Sequence, residues 1–228
     1  MNKKLIFVAF FIILGLILLQ IPISALEGAR VKFTVFDLFA PIAGVFLGVP
    51  IAIVSVIFMQ AANLGLHGFS GVNVVSPLTL VATLRFLPMI VGVWFFAKKE
   101  GKLLVIPALA IIVFNLHPIG RNVWFYSLFW TIPFIVWPFR DRFLIARSLG
   151  ATFTAHSVGG AMWIWAFNLP ANIWISLIPI VVMERAIFAL GISASYVLFN
   201  NMFALLNRWH ILTGAFSLDK KYLLKFLR

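Results

Sequence analysis

The chain has 228 residues, is 63% hydrophobic, only 11% charged, and has a mean hydropathy of +1.10. Too little polar surface remains to cover a soluble domain, and apolar runs without alternation exclude a β-barrel, which leaves an all-α polytopic transmembrane bundle. The net charge of +12 flanks apolar segments, which indicates topology and anionic headgroups and no nucleic-acid partner, and the lack of cysteine removes disulfides, thiolate metal sites and cysteine nucleophiles.

Seven apolar segments follow in order. The first, residues 5–26, carries Lys3 and Lys4 ahead of it and imitates a signal peptide. Its apolar stretch is long for that role, and Ile23 is unfavourable three positions before a cut, so a retained helix is expected. The second, residues 36–60, has Asp37 at its mouth, Pro41 and Pro50, and small residues at Gly44, Gly48 and Ala52. Residues four apart share a helix face, so these three are expected to form a ridge for close packing.

The connector NLGLHGFSGVNVVSP (63–77) offers Asn63, His67, Ser70 and Asn73, either as a cover over a pocket or as a turn. The third segment, residues 78–97, ends in a basic cluster of Lys98, Lys99 and Lys102. The fourth, residues 103–116, is short for a span of about 20 residues. A polar turn with His117, Arg121 and Asn122 leads to the fifth, residues 123–138. It reads either as an anion or aromatic-ligand site or as an interfacial turn. Arg140, Arg142 and Arg147 precede or open the sixth, residues 143–167.

The sixth segment places Ala151, Ala155 and Gly159 four apart, with His156 beside them and Trp163 and Trp165 beyond. The small residues are expected to pack. The histidine either serves a ligand with the tryptophans or is a core histidine bonded to a neighbouring helix. The seventh, residues 173–206, is long enough for a span plus an extension and carries Glu184 and Arg185. Neighbours on a helix point apart, so these two are not expected to pair. Arg85 or Arg147 is the candidate partner of Glu184. Ionisable groups inside spans are costly and therefore functional suspects. The alternative places both near an interface.

The transmembrane domain thus covers residues 1–206, and residues 207–228 form a basic tail. The tail spaces Phe216, Leu223, Leu224 and Leu227 among lysines, as an amphipathic surface helix on anionic lipid would. Three basic clusters on one side make that side, and the C-terminus, cytoplasmic. Seven spans put the N-terminus outside, and six put both termini inside. The histidines lack metal-ligand spacing, and no Walker-type loop is present, so neither a metal nor an ATPase activity is expected.

Three stretches resemble the substrate-binding S components of energy-coupling-factor (ECF) vitamin transporters. Asp37, Pro41, Gly44 and Gly48 match the family's second-helix pattern. Residues 76–102 are similar to its third helix and basic connector, and residues 177–191 to its last helix. The resemblance implies a plasma-membrane helical bundle that binds a small water-soluble, vitamin-like nutrient near its outer face. It implies no cofactor and no enzymatic activity. It also implies a lid after the first helix (residues 27–37), a transmembrane coupling subunit and two ABC-type ATPase partners. Asp37, Asn63, His156, Trp163 and Glu184 are expected to face the ligand or gate it.

Two alternatives come from other classes. Gly68-Phe69-Ser70-Gly71 resembles the G-x-S-G of rhomboid proteases, with His156 as the second member of a dyad. Yet Ser70 lies in a polar connector, where the rhomboid serine heads a helix. The other alternative is a lipid-handling or assembly protein without a transport cycle.

Overall fold

The computed structural model describes residues 3–26, 31–67, 86–209 and 218–227. Helix α1 spans Lys3–Leu18, and strands β1 (Pro22–Leu26) and β2 (Val31–Thr34) pair as an antiparallel hairpin. Short helices α2 (Phe36–Phe39) and α3 (Ala43–Leu47) flank a 3-10 turn and lead to α4 (Val49–His67). Then come α5 (Phe86–Ala97), α6 (Val105–Leu116) and α7 (Pro118–Asn122). A 3-10 helix (Trp124–Thr131) leads to α8 (Ile132–Val136), followed by α9 (Leu144–Phe167) and α10 (Ala171–Arg208).

The fold is all-α apart from the hairpin. Among the described residues, α4 and α10 are the two helices long and apolar enough to cross a membrane; α1, α5, α6 and the 124–139 stretch are shorter. At 1.5 Å per residue, α10 is about 57 Å long.

The first segment is not one helix. It stops at Leu18, and residues 22–26 become strand. Pro22 has no N–H to continue the helical ladder. Gln20 closes the end instead, donating from Nε2 to Leu16 O (3.0 Å) and to Asn63 Oδ1 (2.8 Å).

The second segment is also not one helix. Phe39 stacks on Phe11 (4.4 Å between centroids), and Phe46 and Phe7 both lie against Phe203 (4.9 and 4.7 Å). From Phe39 to Phe46 the chain therefore runs back along α1. It then reverses, because Met59 is again beside Gly15 and Asn63 beside Gln20. The reversal falls at Gly48, whose φ of 82° suits a residue without Cβ. Gly48 is thus a corner, with nothing within 4 Å of where a Cβ would stand. The expected ridge keeps only its ends. A Cβ on Gly44 would come within 2.7 Å of Ala97 Cβ on α5, and Ala52 is fully buried.

Two apolar cores form. One joins α1, α2, α3, α4, α5 and the C-terminal half of α10 around Phe11, Phe39, Phe96 and Phe203. The other joins α6, the 124–131 helix, α9 and the N-terminal half of α10 around Phe114, Trp130 and Trp174. Outside, large apolar side chains stand exposed, among them Ile13 on α1, Val54 and Phe58 on α4, Ile112 on α6 and Leu190 and Leu198 on α10.

The basic clusters meet at one end. Arg140 is 3% exposed and donates from Nη1 to Lys98 O and from Nη2 to Phe95 O, both at 2.8 Å. Arg147 donates to Phe96 O, and Lys99 pairs with Asp141. The two arginines thereby satisfy carbonyls that the end of α5 leaves open and oppose its negative pole. Burial, then the nearby Arg147 charge, pushes the Arg140 pKa down to about 10, against the pull of Asp141. Arg147 is therefore occupied here and is not the partner of Glu184; Arg85 lies outside the described residues.

The tail does not form the expected amphipathic helix over residues 218–227. It makes two 3-10 turns, Lys220–Tyr222 and Lys225–Leu227. The buried amides of Asn200 and Asn201 hold its backbone to α10, and Lys221 Nζ reaches Asp141 O (3.0 Å) and Arg142 O (2.7 Å). Its main chain spends its polar groups on side chains of α10, which removes the need for an internal helical ladder.

Candidate ligand cavity

A cavity of about 130 Å³ lies where the two cores meet. Helices α2, α4, α5, α9 and α10 wall it, with the 124–131 helix and residue Phe33 of β2. Four of the five expected site residues line it: Asp37, His156, Trp163 and Glu184. Asn63 does not. Its Oδ1 accepts from Gln20 at the end of α1.

Each lining group is held by its element. Asp37 opens α2 and accepts at Oδ2 from the backbone N (2.7 Å) and the hydroxyl (3.3 Å) of Thr34. It thereby fastens the hairpin to the wall of the cavity. Phe33, one residue earlier, packs edge-on against Phe188 of α10 at 5.4 Å. The hairpin therefore presents an aromatic side chain to the cavity where the sequence indicated a covering loop; residues 27–30 of that loop lie outside the described residues.

Glu184 and Arg185 are both buried within α10, and they do pair. Arg185 Nη2 approaches Glu184 Oε2 at 3.4 Å, because the long guanidinium stem turns back across the helix surface. Nη1 donates to Thr152 Oγ1 on α9 at 3.3 Å. The guanidinium also lies over Phe188 (4.3 Å) and Phe33 (4.9 Å). Its Nε is buried with no hydrogen-bond partner among the described residues.

His156 sits between two aromatic groups from the 124–131 helix. Trp130 Nε1 donates to its Nδ1 at 3.1 Å, and Tyr126 Oη lies 3.2 Å from its Nε2. An indole nitrogen only donates, so Nδ1 is an acceptor and the imidazole proton is on Nε2. That proton points at the Tyr126 oxygen. The Tyr126 hydroxyl hydrogen is then left for another acceptor.

The expected packing ridge on α9 is divided. Ala151 is buried, and Ala155 would lie 3.5 Å from a Cβ on Gly92 of α5, while Ala151, Ala155 and Gly159 all also border the cavity. Trp165 faces away and donates to Val113 O at 3.1 Å. His117 caps α7 by accepting from Ile119 N, which makes its turn structural. His67, Ser70 and Asn73 cannot be placed at the cavity: the last two lie outside the described residues, as does the side chain of His67.

Gln60, Tyr126, Thr152 and Trp174 also line the cavity and were not among the expected site residues. Gln60 carried a usable signal, a polar group at the end of an apolar run, and Tyr126 follows the polar turn read as either an anion or aromatic-ligand site or an interfacial turn. Thr152 and Trp174 carried none that sets them apart from packing residues.

No family model, curated protein or solved structure matches this chain.

Proposed function

We propose that this chain is a multi-pass plasma-membrane subunit that binds a small water-soluble, vitamin-like nutrient for uptake. A coupling membrane subunit and two ABC-type ATPases supply the drive, as in the ECF S components it resembles. The observation that carries the reading is the cavity. It is lined by charged, amide and aromatic side chains drawn from separate helices and bordered by a hairpin anchored through Asp37. Apolar pockets with a few convergent polar groups are the usual form of a small-molecule site.

The placement of the ends supports a transporter topology. The start of α1 lies beside the end of α10 through Phe7 and Phe203, at the end where the basic clusters gather. The positive-inside rule makes that end cytoplasmic. Both termini are then inside and the number of crossings is even, as in the six-span count. The hairpin, at the other end of α1, then faces outward. Exposed apolar side chains on α1, α4, α6 and α10 suit contact with lipid.

The protease alternative has less support, because both ring nitrogens of His156 are engaged by Trp130 and Tyr126. A general base needs one free for a nucleophile. The test is native mass spectrometry of protein purified in mild detergent after growth in rich medium. A reproducible small-molecule adduct, lost in Glu184→Ala and His156→Ala, is the expected result. A bare protein, with no thermal stabilisation by a vitamin panel, would count for the lipid-handling alternative.

A further inference from the structure

We infer that three segments distant in sequence, residues 98–102, 139–143 and 219–226, build one docking surface for the headgroups of anionic phospholipids. The surface is tertiary, and the tail joins it without the helix expected of it. Asp141 marks the junction. Lys99 pairs with its carboxylate, and Arg140 Nη1 donates to Lys98 O at 2.8 Å, which brings the connector after α5 to the 139–143 turn. Lys221 Nζ donates to the backbone oxygens of Asp141 (3.0 Å) and Arg142 (2.7 Å), which brings the tail to the same turn. Lys98, Lys99, Arg142, Lys220 and Lys221 are thereby gathered around one carboxylate, and all five are exposed.

One carboxylate does not balance five cations. The nearest other acids are engaged: Glu100 Oε2 lies 3.0 Å from Lys102 Nζ, and Asp219 accepts from Lys221 N (3.0 Å) and Tyr196 Oη (3.4 Å). The surplus charge calls for an anionic partner. Apolar side chains stand among the cations. Phe139 and Phe143 flank the turn, 49% and 48% exposed, and Phe226 of the tail is 66% exposed. The Arg142 guanidinium lies over the Phe143 ring, 5.2 Å from its centre. Cation and ring side by side suit the boundary between headgroups and acyl chains, where the charge meets phosphate and the ring enters the apolar layer. A free phosphate would satisfy the cations and leave the rings in water.

The test is thermal melting of the delipidated full-length protein in a non-ionic detergent, titrated with phosphatidylglycerol, phosphatidylcholine, glycerol 3-phosphate or poly-L-glutamate. A saturable rise in melting temperature with phosphatidylglycerol alone is expected, and it should shrink in 0.5 M salt. The half-maximal lipid fraction should rise roughly fivefold in Lys220→Gln and in Arg142→Gln, and stay unchanged in Arg121→Gln, an exposed cation of α7 outside the three segments. Melting without lipid shows whether each variant is folded, and either folded variant suffices. An equal rise with phosphatidylcholine, or an equal loss in Arg121→Gln, would overturn the inference. So would a rise with glycerol 3-phosphate, which assigns the cluster to free phosphate, or with poly-L-glutamate alone, which assigns it to an acidic protein. No rise with any of the four would also overturn it. None of these outcomes bears on what the cavity binds, so the binding-subunit reading stands or falls separately.

Discussion

The side-chain amide of Asn200 pairs with the backbone of Asp219 as one peptide group pairs with another. Nδ2 donates to Asp219 O and Oδ1 accepts from Asp219 N, both at 2.9 Å. Asn201 repeats the pattern one step on, donating to Tyr222 O (2.8 Å) and accepting from Leu224 N (2.7 Å). Two adjacent asparagines thus hold the tail against α10. Asn200→Ala removes two such bonds from a fully buried amide and should destabilise the protein by about 1–3 kcal/mol. It should also expose residues 218–227 to protease. Thermal melting and limited proteolysis measure the two effects, and unchanged protease resistance would contradict the clamp.

Gly44 and Gly48 should respond differently to alanine. At Gly44 the added methyl meets Ala97 and Val93 of α5, at 2.7 and 3.0 Å, so the helices must separate, at a cost of about 1–3 kcal/mol. At Gly48 there is room, and the cost comes from the backbone alone, about 1–3 kcal/mol, because φ 82° with ψ 146° is a conformation open essentially to glycine. Asparagine's tolerance of positive φ is confined to αL, and Gly48 has ψ 146°, so Gly48→Asn should recover none of that loss, while Gly44→Asn should cost more than Gly44→Ala. Melting temperatures of the four variants decide it.

Arg140→Met should cost about 1–3 kcal/mol, since it strands the carbonyls of Phe95 and Lys98 at the end of α5. Arg140→Lys keeps the charge but cannot reach both carbonyls with a planar fork, and should fall between. Denaturation followed by circular dichroism in detergent reads the order. Equal stability of all three would rule out the capping role.

Asp141 gives a pH signature at the same end. Its hydrogen bond from Lys99, aided by the charges of Lys99, Arg140 and Arg147, holds its carboxyl below the usual value of 3.8 despite some desolvation. A lowered carboxylate contributes stability that is fully present above its unfolded pKa and is lost as pH falls through the folded one. Asp141→Asn should therefore narrow its stability gap to wild type only below about pH 4. The gap should be small and shrink with salt, because the pair is exposed. Melting temperatures between pH 3 and 7, at two ionic strengths, test this.

Trp130→Phe should free His156 Nδ1 while keeping most of the core contact. Nitrogen-15 spectra of labelled imidazole should show a single Nε2-protonated tautomer in wild type and a mixture in the variant. A mixture in both would mean that the indole does not set the tautomer.

Much was legible in the chain itself. The helical class and the apolar segments follow from composition and from runs too long for strands. Asp37, His156 and Glu184 stood out because a charge or imidazole inside an apolar run needs a reason, and all three border one cavity. Asn63 met the same criterion of polarity and instead closes the end of α1. Polarity within a segment says that a partner exists, but does not say which one.

What the sequence by itself determined is the inventory: apolar segments, basic clusters, and a few polar groups that cannot be left alone in a dry interior. What only the tertiary structure decided is direction and pairing. The turn-back at Gly48 rests on the aromatic contacts of Phe39 and Phe46 with Phe11 and Phe203, which are distant in sequence. The tail's two 3-10 turns rest on Asn200 and Asn201, whose amides supply partners that local propensity does not contain. The His156 tautomer rests on Trp130, 26 residues away, because a hydrogen bond is fixed by where donor and acceptor meet in space.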